Sequence, residues 1–177
     1  MSRDLDKLTP RMQIVAHEIK RLLRTTFNTE IAIYCTLRTC EEQAIYYRKS
    51  RTRAQINAKM QSLTDRGFPE LAAIIEEVGP QGEAGDLGKH VTHAGPGESF
   101  HQYGEALDAV PVVNGATVWD APHLWEQYGT CAKLLGVTWG GDWGWDQPHI
   151  QMRPQKNPLN VLKPAEILPR LQELNAL

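Results

Sequence analysis

The sequence predicts an α+β fold in which a small antiparallel sheet is flanked by helices. Helical periodicity dominates both ends of the chain, and short runs of β-branched and aromatic residues occur near residue 31 and after residue 106. Asn114-Gly115 is the two-residue turn that antiparallel hairpins prefer. A chain of 177 residues has the length of one domain, so we expect residues 1–177 to form a single domain.

In the first half of the chain, local signals predict a helix, a strand and then three further helices. Thr9 suits a helix cap and Pro10 suits the first helical turn. Helical spacing then predicts an apolar face made of Ile14, Val15, Ile19, Leu22 and Leu23. The strand is predicted over 31–36, the helices over 41–49, 53–64 and 69–78, and a glycine-rich loop over 81–88.

The second half is predicted to hold most of the sheet. Strands over 107–113 and 116–119 flank the hairpin turn, and further short strands are predicted over 137–139 and 149–152. Asp120 is predicted to cap a helix over 122–135 that Gly136 ends. A last helix is predicted over 164–174.

The composition excludes several functional classes. The formal charge is −2, so we expect no nucleic-acid partner, and no apolar run approaches the roughly 18 residues of a membrane span. The charged N-terminus has no apolar signal segment behind it, and we therefore expect synthesis in the cytoplasm. The three cysteines have no metal-like spacing, and we expect buried thiols.

A candidate metal site lies within residues 99–108. His101 and Asp108 are seven positions apart, about 10 Å along a straight helix, so they converge only if the chain turns between them. Gly104 permits such a turn. Asp108 is also predicted on an apolar strand face, where a carboxylate is costly unless a positive group pairs with it. A metal ion shared with neutral His101 would meet that need.

A third candidate ligand is His149, which ends the segment Asp146-Gln147-Pro148-His149. Pro148 holds the residue before it extended, so Asp146 and His149 can have separate roles in a stiff loop. Two histidines and one carboxylate, with a fourth position left to water, are typical of a catalytic zinc site. Asp146 is then available as a general base and acid. Composition and spacing leave other histidines open as ligands: His90, His93 and His123.

Together with their neighbours, these segments resemble the zinc peptidases of the D-Ala-D-Ala carboxypeptidase and L-alanyl-D-glutamate endopeptidase family. That family includes phage endolysins and, more distantly, vancomycin-resistance D,D-dipeptidases, and hedgehog signalling domains resemble it in fold and metal site. In chain order, the segments that carry the resemblance are Leu37-Arg38-Thr39-x-Glu41-Glu42-Gln43, Thr92-x-Ala94, Ser99-x-His101-x-x-Gly104-x-Ala106-x-Asp108, Trp139-Gly140-Gly141-Asp142-Trp143 and Asp146-x-Pro148-His149.

The resemblance implies a hedgehog/DD-peptidase-like fold and a role for each matching residue. Asp146 matches the catalytic acid/base, and Arg38 matches the arginine that steadies the substrate and the developing oxyanion. Ser99 matches a serine that lines the substrate site. The residues that match the ligands of one catalytic zinc ion are His101, Asp108 and His149.

From this resemblance we expect a monomeric zinc metallopeptidase of the phage endolysin type. It would hydrolyse the L-Ala–D-Glu bond of the peptidoglycan stem peptide after its release to the cell wall. Asp146 favours this branch, because the dipeptidase branch uses Glu as the acid/base. The alternatives are a D-Ala-D-Ala carboxypeptidase of the same family and a non-catalytic, zinc-stabilised binding module, which would need neither Asp146 nor Arg38.

One segment departs from the family pattern, and two further features have two interpretations each. Residues 50–88 are longer and more helical than the usual link, and we expect a helical insertion that forms a lid or a wall of the cleft. The tryptophans at 139, 143 and 145 either belong to the core and its rim or floor the cleft. A basic run is best interpreted as a solvated helix face, with binding to an anionic envelope as the alternative: Arg48, Lys49, Arg51 and Arg53.

Overall fold

The computed structural model describes residues 1–78 and 88–177, and within them it confirms the α+β class. Six helices accompany one five-stranded antiparallel sheet in this part of the chain. The helices are α1 (Pro10–Leu22), α2 (Cys40–Arg48), α3 (Arg53–Asp65), α4 (Pro69–Glu77), α5 (Pro122–Leu134) and α6 (Pro164–Glu173). The strands are β1 (Glu30–Cys35), β2 (Ala106–Val113), β3 (Ala116–Thr117), β4 (Thr138–Trp139) and β5 (His149–Gln151).

The sheet is organised around β2. Its strand order is β1-β2-β5-β4, and β3 pairs with the end of β2 through the predicted hairpin. Asn114 and Gly115 both have positive φ, 51° and 79°, as a turn that matches the strand twist requires. The predicted strands are therefore all present, whereas the predicted loop over 81–88 lies outside the described residues except for Gly88.

The chain forms two compact units. The first comprises residues 1–37 and 103–156 and contains the whole sheet with α1 and α5. The second comprises 38–102 and 157–177, of which 79–87 are not described, and contains α2, α3, α4 and α6. A single domain over 1–177 stays a prediction.

The core of the first unit is formed by the sheet with one face of α1 and of α5. Fully buried residues from each element meet there, among them Met12, Ile19, Leu107, Tyr128 and Ile150. The prediction that Ile14 belongs to this face is wrong, because its side chain is 64% exposed. The buried stripe of α1 runs instead through Met12, Val15, Ala16 and Ile19, at the spacing of successive helical turns.

Helix α5 begins at Pro122, as predicted, but it lacks the predicted cap. The residue before the helix is Ala121, which makes no side-chain cap, so the prediction that Asp120 caps α5 is wrong. Pro122 occupies the first helical position, where its missing N–H costs nothing. No helix within residues 1–78 and 88–177 combines the length and apolarity needed to traverse a bilayer.

The basic run of the second unit is not a solvated helix face. Arg48 ends α2 and Arg53 begins α3, so the four cations span the turn between two helices. Arg48 is only 1% exposed and donates to the carbonyl of Ile75 at 2.7 Å, and Arg51 is 7% exposed. Two of the four charges are therefore buried, which the sequence does not reveal.

Candidate functional site

Three adjacent strands place a thiol, a carboxylate and an imidazole in one row across the sheet. Asp108 on β2 pairs with Cys35 on β1 and with His149 on β5. Side chains of directly opposed residues lie on the same face of a sheet, so all three share one face. A bulge between Ile33 and Cys35 sets Cys35, and not Tyr34, opposite Asp108. Cys35 is buried, as expected, but the sequence gave no reason to place it in this row.

Gln151 fixes the orientation of the His149 ring. The Gln151 amide nitrogen donates to the carbonyls of Arg153 and Gln155, so its oxygen is left as an acceptor. That oxygen lies 2.9 Å from His149 Nε2, which must therefore carry the ring proton. In this tautomer, His149 Nδ1 presents a lone pair. Gln151 is only 2% exposed, and sequence reasoning missed it because its role depends on this hydrogen-bond network.

The lone pair of His149 Nδ1 faces a second acceptor. Nδ1 lies 3.1 Å from Asp108 Oδ1, and a carboxylate oxygen has no proton to donate. Two acceptors at this distance need a proton or a metal cation between them. Carboxylate, imidazole and thiol are the ligand types that zinc prefers, so the residues of this row fit a zinc ion.

Asp146 begins the loop that leads to His149 in the first unit. Its carbonyl accepts the backbone N–H of His149 at 3.1 Å, which closes the loop between them. The hydroxyl of Tyr128 donates to the carbonyl of Pro148 at 3.2 Å. Burial raises the pKa of Tyr128 well above its ordinary value, and the charges of Asp108 and Asp146 raise it further. Both carboxylates therefore act on one buried, neutral phenol that steadies the His149 loop.

Gly140 allows β4 to lie against this loop. A Cβ atom at this position would collide with the carbonyl of Asp146 and approach the Cβ of His149 to 3.0 Å. Trp143 follows, with its ring 5.5 Å from the His149 ring, so it borders the site. Trp139 instead packs on Gly129 of α5, and its indole N–H donates to the Gln147 carbonyl at 2.8 Å. Its role is therefore to pack the fold.

The other three predicted site residues belong to the second unit. Arg38 lies in the turn between β1 and α2, at the end of the first strand as predicted. Ser99 is half-buried before the short helix Phe100–Tyr103, and His101 within that helix is 2% exposed. The His101 carbonyl accepts the backbone N–H of Arg38 at 3.4 Å.

A buried glutamine joins two of the sequence motifs of the second unit. Gln43 accepts a hydrogen bond from the Arg38 guanidinium at 3.1 Å and donates to the Ala94 carbonyl at 2.7 Å. The Arg38 guanidinium also lies over the Tyr46 ring, 5.1 Å from its centre. Gln43 thereby holds Arg38 against the Thr92-x-Ala94 segment, a role that a position in the motif alone does not indicate.

The turn predicted between His101 and Asp108 is present at Gly104. Its φ is +63°, in the region that favours glycine, and a Cβ there would come within 2.8 Å of the Lys7 carbonyl. Of the alternative ligands, His90 and His93 contact each other with ring centres 4.5 Å apart. His123 is exposed on α5.

Comparison with known proteins finds a peptidase family model that matches the segment containing Asp108, Asp146 and His149. Residues 92–152 match the family model described as D-alanyl-D-alanine carboxypeptidase. The chain is also 41% identical over 78 residues to the peptidoglycan L-alanyl-D-glutamate endopeptidase CwlK of Bacillus subtilis (strain 168). That alignment covers 38% of this chain and 47% of the relative, so the chain spans about half the length of the curated protein it matches. These matches confirm the resemblance to the zinc peptidase family.

Gln151→Leu tests the tautomer of His149. We expect the affinity for Zn²⁺ to fall by about 10–100-fold, because the ring loses the acceptor that keeps its proton on Nε2. Competition with a chromophoric zinc chelator measures this affinity. Gln147→Leu, which changes an exposed side chain in the same loop, is the matched control. An unchanged affinity in the Gln151 variant would contradict the assignment.

Proposed function

We propose that the chain is a zinc-dependent peptidase that hydrolyses the L-Ala–D-Glu bond of the peptidoglycan stem peptide. The observation that carries the proposal is the 3.1 Å approach of His149 Nδ1 to Asp108 Oδ1, two atoms that a metal cation can bridge. The family match over residues 92–152 supports peptidase chemistry. We further propose a monomeric endolysin that acts on the cell wall after release.

The proposed zinc ligands are His101, Asp108 and His149. The match of all three to the ligand positions of the family motif supports this set. Cys35 does not match a ligand of the family, and a catalytic zinc ion keeps one position open, so we leave the thiol outside the set. When bound, zinc supplies Lewis-acid activation of water and of the scissile carbonyl.

Two further residues carry the proposed proton transfer and charge stabilisation. Asp146 takes the proton of the attacking water and passes it to the leaving amine, as a general base and then a general acid. Arg38, held by Gln43, steadies the negative charge that develops on the carbonyl oxygen. Ser99 lines the substrate site. Tyr128 stays neutral and holds the Pro148 carbonyl, so it keeps the loop of His149 in place.

The choice of bond rests on the acid/base and on the relative. Asp146 stands in an Asp-x-Pro-His segment, which resembles the endopeptidase branch. The Bacillus relative is named for the L-alanyl-D-glutamate bond. The family model is described by the carboxypeptidase activity, so removal of terminal D-Ala is the alternative for the same residues.

The purified protein is expected to bind one zinc ion. His101→Ala should lose the metal and most of the activity, because the remaining two proposed ligands hold zinc weakly. Elemental analysis after dialysis measures the stoichiometry, and His123→Ala, which removes an exposed histidine, serves as the control. Full zinc occupancy in the His101 variant would move the site elsewhere, with His93 as the next candidate ligand.

Asp146→Asn separates catalysis from metal binding. The amide keeps the size of the side chain but cannot carry the proton, so the rate should fall by about 10²–10⁴-fold while zinc content is retained. Release of soluble peptides from purified peptidoglycan gives the rate. Asp142→Asn neutralises an exposed carboxylate four residues away and should leave the rate unchanged. Wild-type hydrolysis by the Asp146 variant would argue against its catalytic role.

The products of digestion identify the bond. If the L-Ala–D-Glu bond is cut, new amino termini appear on D-Glu while muramic acid keeps L-Ala. Mass spectrometry of the digest, with a parallel digest in the presence of a chelator, distinguishes these products. Free D-Ala as the sole product would exclude the endopeptidase and leave the zinc peptidase proposal standing. Zinc binding with no product at all would favour the binding module.

A further inference from the structure

A cavity in the second unit is lined by cationic, imidazole and hydroxyl groups. Its volume is about 590 Å³, and none of its lining residues belongs to the proposed zinc ligands or the proposed catalytic groups. Residues from the end of α2, from α3 and from the segment after residue 88 form its walls, including Tyr47, Arg51, Gln55, Lys59, His90 and His93.

Arg51 brings a buried charge to this cavity. The residue is 7% exposed, and its guanidinium lies over the Tyr47 ring, 3.8 Å from the ring centre. Its hydrogen bonds go to the carbonyls of Tyr47 and Thr92 and to the ring of His90. None of these described partners is a carboxylate. A buried cation without a negative partner is costly, so the site favours an anion.

The neighbouring groups leave this charge uncompensated. Lys59 lies 2.6 Å from the carboxylate of Glu98, which is 6% exposed, so these two charges balance each other. The Arg51 guanidinium donates to His90 Nε2 at 3.0 Å, which keeps the ring proton of His90 on Nδ1 as a further donor. Burial lowers the pKa of His90, and the charges of Arg51 and His93 lower it further, so His90 stays neutral.

We propose that this cavity binds a small anionic ligand through a carboxylate or phosphate group, with Arg51 as the counter-charge. Guanidinium groups form strong charge-assisted hydrogen bonds with both anions. Arg51 and most of the other lining residues lie within 50–88, the segment that departs from the family pattern. The proposed anion site does not depend on the proposed peptidase activity, and its test measures binding alone.

Isothermal titration of the 177-residue chain with three probes tests the proposal. We expect binding of glutarate or inorganic phosphate and no binding of glutaramide, the neutral isostere of glutarate. Tighter binding of glutarate would assign a carboxylate ligand, and tighter binding of phosphate would assign a phosphate ligand. Failure of the wild-type protein to bind either anion would overturn the proposal.

Substitutions at Ala58 separate this cavity from any anion bound at the metal site. Ala58 lines the cavity and is exposed on α3, so a larger helix-forming residue is compatible with folding. Ala58→Glu supplies an internal carboxylate and should weaken anion binding by about ten-fold or more, whereas Ala58→Gln should bind like the wild type. Equal affinities for the two variants would also overturn the proposal.

A second pair of variants removes one positive charge at a time. Arg51→Gln should weaken binding of the preferred anion by about ten-fold or more. Arg53→Gln removes an exposed cation of the same segment that pairs with Glu76, and it should have no effect. Circular dichroism establishes folding of each variant. Equal losses in both variants would indicate a general charge effect and contradict the assignment to Arg51.

Discussion

The short approach of Asp108 to His149 is the constraint on which the architecture of the first unit depends. An aspartate on the central strand of a sheet is costly unless its charge is balanced, and the neighbouring imidazole offers a lone pair and not a proton. The surrounding groups maintain this arrangement. Gln151 fixes the ring tautomer, Tyr128 holds the preceding carbonyl, and Gly140 admits the neighbouring strand. Such preorganisation suits a site that binds a metal cation.

Much of the fold and half of the candidate site follow from local rules. Strand positions follow from short β-branched runs, and the hairpin follows from Asn114-Gly115, whose conformation few other residue pairs adopt. Asp108 and His149 are directly opposed on neighbouring strands. Their roles as zinc ligands stay a prediction, which rests on the motifs in which both residues stand.

The remaining features depend on contacts between distant segments. Cys35 enters the row of Asp108 only because a bulge shifts the register of β1, and no residue type marks that bulge. In the sequence, Gln151 and Gln43 look like ordinary polar residues. Their roles become visible only in the fold, where burial restricts their hydrogen-bond partners. Arg51 belongs to a basic run that the sequence predicts to be a solvated helix face. The turn that buries it results from the packing of helices. Helical periodicity also predicted Ile14 on the buried face of α1, whereas the side chain is exposed and only its neighbours form that face.

The bulge in β1 makes the length of that strand matter more than the identity of most of its side chains. Removing Tyr34 would restore regular pairing and leave Cys35 opposite Asp108, but it would also remove the local bend and twist that the extra residue gives to β1. Insertions and deletions would therefore be tolerated in the loops around β1 but selected against within it. Tyr34, whose side chain is 38% exposed, would then be retained for the space it occupies along the backbone.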